Sequence, residues 1–142
     1  MRCDQLQIRP FRDEDLSGVV ELWEAVFPNE PTRNDPRAIV ARKLRIQRDL
    51  FLVGHLDGRL VATVMAGFDG FRGWIYHLAV APELRQRGFG RQIMEVAEDK
   101  LRDLGCPKIN LQVRASNTAV IEFYEKLGYG IEERASMGKQ LK

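Results

Sequence analysis

The stretch that most restricts the fold runs from residue 74 to residue 113. Residues 74–80 are apolar on alternate and intervening positions alike, which predicts a strand covered on both faces. Residues 91–104 place Ile93, Met94, Ala97, Leu101 and Leu104 at helical spacing, with Gly105 as a stop and Pro107 beyond it. Residues 109–113 then read as a second buried strand. A helix joining two strands of one sheet makes them parallel, and such a crossover is right-handed. An all-helical or purely antiparallel chain is thereby excluded.

The remaining elements attach to this unit. Residues 5–9 alternate Leu6 and Ile8 with polar neighbours and close at Pro10, a short strand. Asp13-Glu14-Asp15 opens a helix carrying Leu16, Val19, Val20, Trp23 and Phe27, stopped by Pro28-Asn29-Glu30-Pro31. A second helix starts at Asn34-Asp35-Pro36 and extends to about Arg48, with Arg37, Arg42, Arg45 and Arg48 on its exposed face. Residues 50–55 and 60–66 form a hairpin around Asp57-Gly58. Asn117 caps a helix bearing Val120, Phe123, Tyr124 and Leu127, ended by Gly128, and residues 129–141 hold a last strand. The order βααβββαβαβ predicts an α/β chain (α+β, with a mixed sheet) whose one parallel pair borders an unusual loop. No repeat or linker interrupts it, so residues 1–142 are expected to form a single domain.

Composition excludes several classes. With 44% hydrophobic residues, 30% charged residues and a net charge of +2, the chain is neither disordered nor a net basic nucleic-acid binder. Its most apolar stretch, residues 60–68, is far short of the ~20 residues a membrane span needs. Residues 1–11 contain no charged start followed by an apolar run, so no secretory signal is expected. Cys3 and Cys106 read as reduced thiols, which points to the cytoplasm. His55, His77, Cys3 and Cys106 lack metal-ligand spacing, and no metal is expected. Sixteen arginines against six lysines leave acidic small molecules as partners, because the guanidinium fork matches phosphate and carboxylate.

The unusual loop is Arg85-Gln86-Arg87-Gly88-Phe89-Gly90-Arg91, between a buried strand and a helix N-terminus. Gly88 and Gly90 remove Cβ atoms, so successive backbone N–H groups can converge on an anion. The helix start adds its own unpaired N–H groups and positive dipole end, and Arg85, Arg87 and Arg91 add charge. Together these suit a pyrophosphate. A Walker loop is excluded because Gly90 is followed by Arg91-Gln92, and the dinucleotide fingerprint because Ile93 stands where a third Gly or Ala belongs. No Gly-x-Ser-x-Gly elbow exists.

The run Leu78-Ala79-Val80-Ala81-Pro82-Glu83-Leu84-Arg85-Gln86-Arg87-Gly88-Phe89-Gly90-Arg91 resembles the motif of the GNAT superfamily of acetyl-CoA-dependent N-acetyltransferases. Its core is Arg/Gln-x-x-Gly-x-Gly/Ala after an L-x-V-x-P strand end. A second segment, Asn117-Thr118-Ala119-Val120-Ile121-Glu122-Phe123-Tyr124-Glu125-Lys126-Leu127-Gly128-Tyr129, is similar to the family's N-x-x-A-x-x-x-Y-x-x-x-G-F/Y stretch. The resemblance covers nearly the whole chain and looks like small stand-alone bacterial members.

The resemblance implies acetyl-CoA as acetyl donor, without a metal. Backbone groups of Leu78, Ala79 and Val80 would bond the pantetheine arm where the parallel strands splay apart. Gln86, Arg87, Gly88, Phe89, Gly90 and Arg91 would hold the pyrophosphate through main-chain N–H groups. Asn117 would face the cofactor, although it is also a good helix cap on any fold. Tyr124 would reach the thioester sulfur as general acid, although its position is core-facing too. A neutral primary amine would attack directly, and a backbone N–H near Val80 would stabilise the oxyanion.

The second segment also resembles that of the ribosomal-protein N-terminal acetyltransferases, whose catalytic Glu falls on Gln112 here. Gln cannot titrate. His77 and Tyr76 are the alternative bases. The acceptor, a small-molecule or peptide amine, would lie against the first two helices and residues 27–34, with Glu24, Glu30 and Asp69 attracting an ammonium group. A protein N-terminal acetyltransferase, a non-catalytic acyl-CoA-binding module and a nucleotide-binding regulator are the competing readings. No nucleic acid or membrane partner is expected, and a homodimer is left open.

Overall fold

The computed structural model describes residues 5–28 and 35–141. Cys3, Glu30, Asn34 and most of the connector expected to face the acceptor lie outside the described residues. The chain divides into two compact units, Met1–Leu111 and Gln112–Lys142.

The first unit is a five-stranded sheet in the order β1 (Gln7–Pro10), β2 (Phe51–Leu56), β3 (Arg59–Phe68), β4 (Gly73–Val80), β5 (Ile109–Leu111). The first four strands pair antiparallel, and β4–β5 is parallel, as the strand–helix–strand pattern requires. The β2–β3 turn is Asp57-Gly58, both in the left-handed region (φ 51° and 81°), which matches the right-handed twist of a two-residue hairpin. Phe51, Leu52, Val53, Val61, Ala62 and Val64 are fully buried, so the core lies along β2 and β3.

Helices cover both faces. On one, α1 (Leu16–Val26) buries Val19, Leu22 and Trp23, an i, i+3, i+4 stripe. α2 (Pro36–Lys43) starts on Asp35, whose carboxylate accepts the Ala38 amide at 3.3 Å, and buries Ile39 and Val40. On the other face, α3 (Phe89–Asp103) buries Phe89, Ile93, Met94, Ala97 and Leu101. Gly73 of β4 lets α3 approach: a Cβ there would stand 2.8 Å from Cys106 Sγ and 3.2 Å from Leu101. Short 3-10 turns at Asp13–Asp15 and Arg48–Leu50 flank these elements.

Asp15 anchors the start of α1. Its carboxylate is buried, takes two bonds from the Arg9 guanidinium at 2.7 and 3.0 Å, and accepts the Arg12 amide at 2.8 Å. Burial alone would raise its pKa, but Arg9, the Arg12 amide and nearby His55 outweigh that and lower it.

In the second unit, α4 (Thr118–Lys126) begins on Asn117. The strand expected within residues 129–141 is absent among the described residues. Its apolar Ile131, Met137 and Leu141 would share one face of an extended chain, yet they stand exposed, and the stretch pairs with no strand among the described residues. The second helix also ends earlier than expected, at Lys43 rather than near Arg48. Gln47 adopts φ 53° and its side chain both donates to and accepts from the Phe68 backbone, which stops helical propagation. β5 is three residues, not five.

Candidate active site

The β4–β5 ladder runs from Gly73↔Ile109 to Ile75↔Leu111 and stops there, while β4 continues to Val80. Over its last five residues β4 stays paired with β3 through Tyr76, Ala79 and Val80 and has no β5 ladder on the other side. Leu78, Ala79 and Val80 lie on this open stretch.

Which backbone groups face the opening follows from a count along the strand. The Gly73 amide donates to Lys108, on the β5 side. Ala81, an even number of residues later, would face that side too in an uninterrupted strand, yet its amide donates to Val61 of β3 at 2.8 Å. One extra residue must intervene. It sits where the register slips, since Thr63 pairs with Ala79 but Met65 with Tyr76, and His77 there has φ 50°. This β-bulge turns Leu78 and Val80 toward the open edge.

His77 packs its ring against Trp23 (centroids 4.5 Å apart) and edge-on to Phe27 (5.3 Å). Its carbonyl accepts the Thr63 hydroxyl at 3.0 Å, and the Thr63 oxygen accepts the Trp23 indole N–H at 2.8 Å. Thr63 went unread in the sequence. Its signal was one hydroxyl inside the apolar run of residues 60–68.

The loop after β4 leads straight into α3. Arg85, Gln86, Arg87, Gly88 and Arg91 are exposed. Gln86 (φ 65°) and Gly88 (φ 85°) are both left-handed, the backbone that turns neighbouring N–H groups to one side. Gly88 is the N-cap residue of α3 and supplies no side-chain cap. The helix start thus keeps its backbone donors and dipole end for an outside acceptor. Arg87 lies 5.2 Å from the Phe89 ring, and Arg91 pairs with Glu95 at 3.6 Å. The Phe89 side chain is in the core, so only its backbone can serve a ligand. Gly90 is the second residue of α3.

In the second unit, Asn117 caps α4 by accepting the Val120 amide at 3.4 Å. Tyr124 is buried, beside Phe123 and Tyr129, and burial pushes its hydroxyl up to about 12. Gln112 donates to the Ser136 hydroxyl at 2.6 Å. Asp69 is exposed and accepts the Phe71 and Arg72 amides, which lower its pKa, and Tyr76 is half exposed. Among the described residues no group of three His, Cys, Asp or Glu side chains is placed to hold a metal ion, and no helix is long and apolar enough to cross a membrane.

A strand edge open beside a parallel partner, followed by a glycine-started helix without a side-chain cap, is the arrangement of a coenzyme A acyltransferase. The acetyltransferase (GNAT) family profile matches residues 16–129, and the chain belongs to that family. It is 44% identical to an acetyltransferase of Pectobacterium atrosepticum and 43% identical to acetyltransferases of Yersinia pestis, in each case over 136 residues and 96% of both chains. Its fold is similar to that of Ard1 from Thermoplasma volcanium (TM-score 0.80, 23% identity, 89% of this chain and 84% of that one). It is equally similar to the aminoglycoside N-acetyltransferase AAC(6')-Iy, solved with a CoA-containing bisubstrate analogue (TM-score 0.80, 18% identity, 96% and 98%). The protein is an acetyl-CoA-dependent acetyltransferase of the GNAT fold.

Proposed function

We propose that the protein moves the acetyl group of acetyl-CoA to a primary amine by direct attack, with residues 1–142 acting as one N-acetyltransferase domain. The observation that carries this reading is the open edge of β4, continuous with the uncapped start of α3. The residues fit the donor: the N–H groups of Gln86–Arg91, beside Arg85, Arg87 and Arg91, suit a pyrophosphate, and an open strand edge suits the amides of a pantetheine arm. Acetyl-CoA supplies an acyl group already activated as a thioester, so the chain needs no nucleophile of its own.

The chain's residues then have three tasks. Leu78, Ala79 and Val80 bind the pantetheine arm through their backbone. An N–H of the bulged stretch donates to the developing oxyanion, a preorganised dipole that needs no reorganisation. Tyr124 is the proton donor toward the departing sulfur, and Asn117 faces the cofactor from the cap of α4. At about 12 the Tyr124 hydroxyl is protonated throughout the working range. Complete transfer to a thiolate of ordinary thiol acidity, about 8.5, would be uphill by roughly 5 kcal/mol. Tyr124 therefore acts by a strong hydrogen bond, with the proton completed from solvent.

Gln112 cannot serve as base, and its bond to Ser136 supports a structural part for it, which weighs against the ribosomal-protein type of N-terminal acetyltransferase. The amine enters neutral, or loses its proton to His77.

Binding is tested by thermal denaturation. At a hundred times its dissociation constant acetyl-CoA should add about 2.7 kcal/mol to stability. For a chain of this length that raises the Tm by roughly 8 °C. Pantetheine, lacking the phosphates, should do much less, and ATP should not displace acetyl-CoA. No shift at millimolar acetyl-CoA would contradict the proposal.

A further inference from the structure

We propose that Thr63, held by Trp23, is a positioning residue for acetyl transfer: its hydroxyl sets the His77–Leu78 peptide so that the Leu78 N–H faces the open edge of β4. The inference rests on the functional reading above, and gives the oxyanion donor a residue number.

In a planar trans peptide the C=O and N–H point in opposite directions. The His77 carbonyl is turned toward β3, where the Thr63 hydroxyl meets it at 3.0 Å. The Leu78 N–H of the same peptide therefore points away from β3, to the side where β5 has ceased to pair. Fixing one end of the peptide fixes the other.

The bulge slips the register between Thr63 and Met65, and within it the His77 carbonyl accepts a bond from the Thr63 side chain. His77 also holds φ 50°, a region unfavourable to any residue with a Cβ, and such a conformation persists only where its surroundings impose it. Thr63 supplies this donor from a fully buried position. The Trp23 indole N–H, 2.8 Å away, occupies the Thr63 oxygen and leaves the hydroxyl proton for the carbonyl. Packing alone gives no reason for a hydroxyl here, because Val61, Ala62 and Val64 surround Thr63 in the strand and Val would fill its volume.

Thr63→Val and Thr63→Ser separate the hydroxyl from the packing. With acetyl-CoA and the best acceptor from a screen of small amines and short peptides, Thr63→Val should lower kcat at least tenfold. KM for acetyl-CoA should stay within about twofold. Thr63→Ser should restore most of kcat, and the Leu78 amide resonance should move in the Val variant and return in the Ser variant. A folded Thr63→Val with wild-type kcat and an unmoved Leu78 amide overturns the assignment. So does an equal loss in Val and Ser, which would mark a packing role. Should Thr63→Val not fold, Trp23→Phe decides: it keeps a ring against Phe51 and His77 but withdraws the N–H, and an unchanged kcat there overturns the proposal. A wild-type chain that binds acetyl-CoA yet turns over no amine overturns the functional reading, and Thr63's part in catalysis with it.

Discussion

Tyr124 is one hydroxyl in a buried aromatic setting beside Phe123 and Tyr129, and its chemistry follows from that burial. Desolvation disfavours phenolate, so the group is a donor at every pH the enzyme meets. Tyr124→Phe keeps the ring and removes the donor. We expect kcat to fall by about 10²-fold, the scale of losing one preorganised hydrogen-bond donor to developing charge, while acetyl-CoA affinity and Tm barely move. Phe123→Leu, one position away, should affect stability instead. A Tyr124→Phe enzyme with wild-type kcat removes the donor from the mechanism.

The pH dependence follows with its sign. The folded-state value is raised above the ordinary 10, so the stability linked to neutral Tyr124 is full below pH 10 and is lost as pH rises toward 12. Activity should climb with pH as more acceptor is neutral, with no alkaline limb near 10. An alkaline limb there that vanishes in Tyr124→Phe contradicts the assigned environment.

Among elements, the proposed binding rests on the start of α3 and the end of β4. Gly88 has φ 85°, and a Cβ there would meet no protein atom within 4 Å. Gly88→Val thus costs backbone strain, about 1–2 kcal/mol for a left-handed residue, and turns away N–H groups meant for phosphate oxygens. Calorimetry should show acetyl-CoA affinity falling at least tenfold, and Arg87→Ala should cost less if, as proposed, main-chain N–H groups hold the phosphates. Gly58→Val is the control: Gly58 is also left-handed with an open Cβ direction, in the remote hairpin turn, and its loss should lower stability but spare binding. Equal affinity in Gly88→Val and wild type would contradict the phosphate site.

How much of this was legible depends on which elements carry a period. The crossover announces itself because a 3.6-residue stripe lies between two apolar runs, and Asp57-Gly58 names its own turn. The bulge at His77 leaves no such trace. Residues 74–80 carry large or apolar side chains at every position, so the sequence shows no alternation to break, and one inserted residue is invisible until the ladder is seen. The same holds for Thr63, whose partners are set by register. The expected last strand does not form among the described residues: Tyr129, Ile131, Ala135, Met137 and Leu141 keep a strand's alternation, but no neighbouring strand pairs with them, and pairing is not written in a local pattern. The end of α2 depended on Gln47 reaching Phe68 across the fold, which no local signal encodes.

At the scale of the whole molecule, the division of labour is unequal. The first unit has a sheet with one edge left open and a helix start without a side-chain cap; the second holds Tyr124, the proposed donor, and Asn117. The donor brings its own activation, so the chain's work is to hold, orient and stabilise charge. A chain that only bound acyl-CoA would need the first set of features and no proton donor. The most direct test is therefore turnover. Acetyl-CoA is incubated with the protein and a panel of small primary amines, diamines and short peptides with free N-termini, and both free CoA and the acetylated amine are measured. Saturable CoA release that requires an amine, matched one-to-one by acetylated product, is the expected result. Tight acetyl-CoA binding with no amine-dependent release across the panel would contradict it and assign the chain to acyl-CoA binding instead.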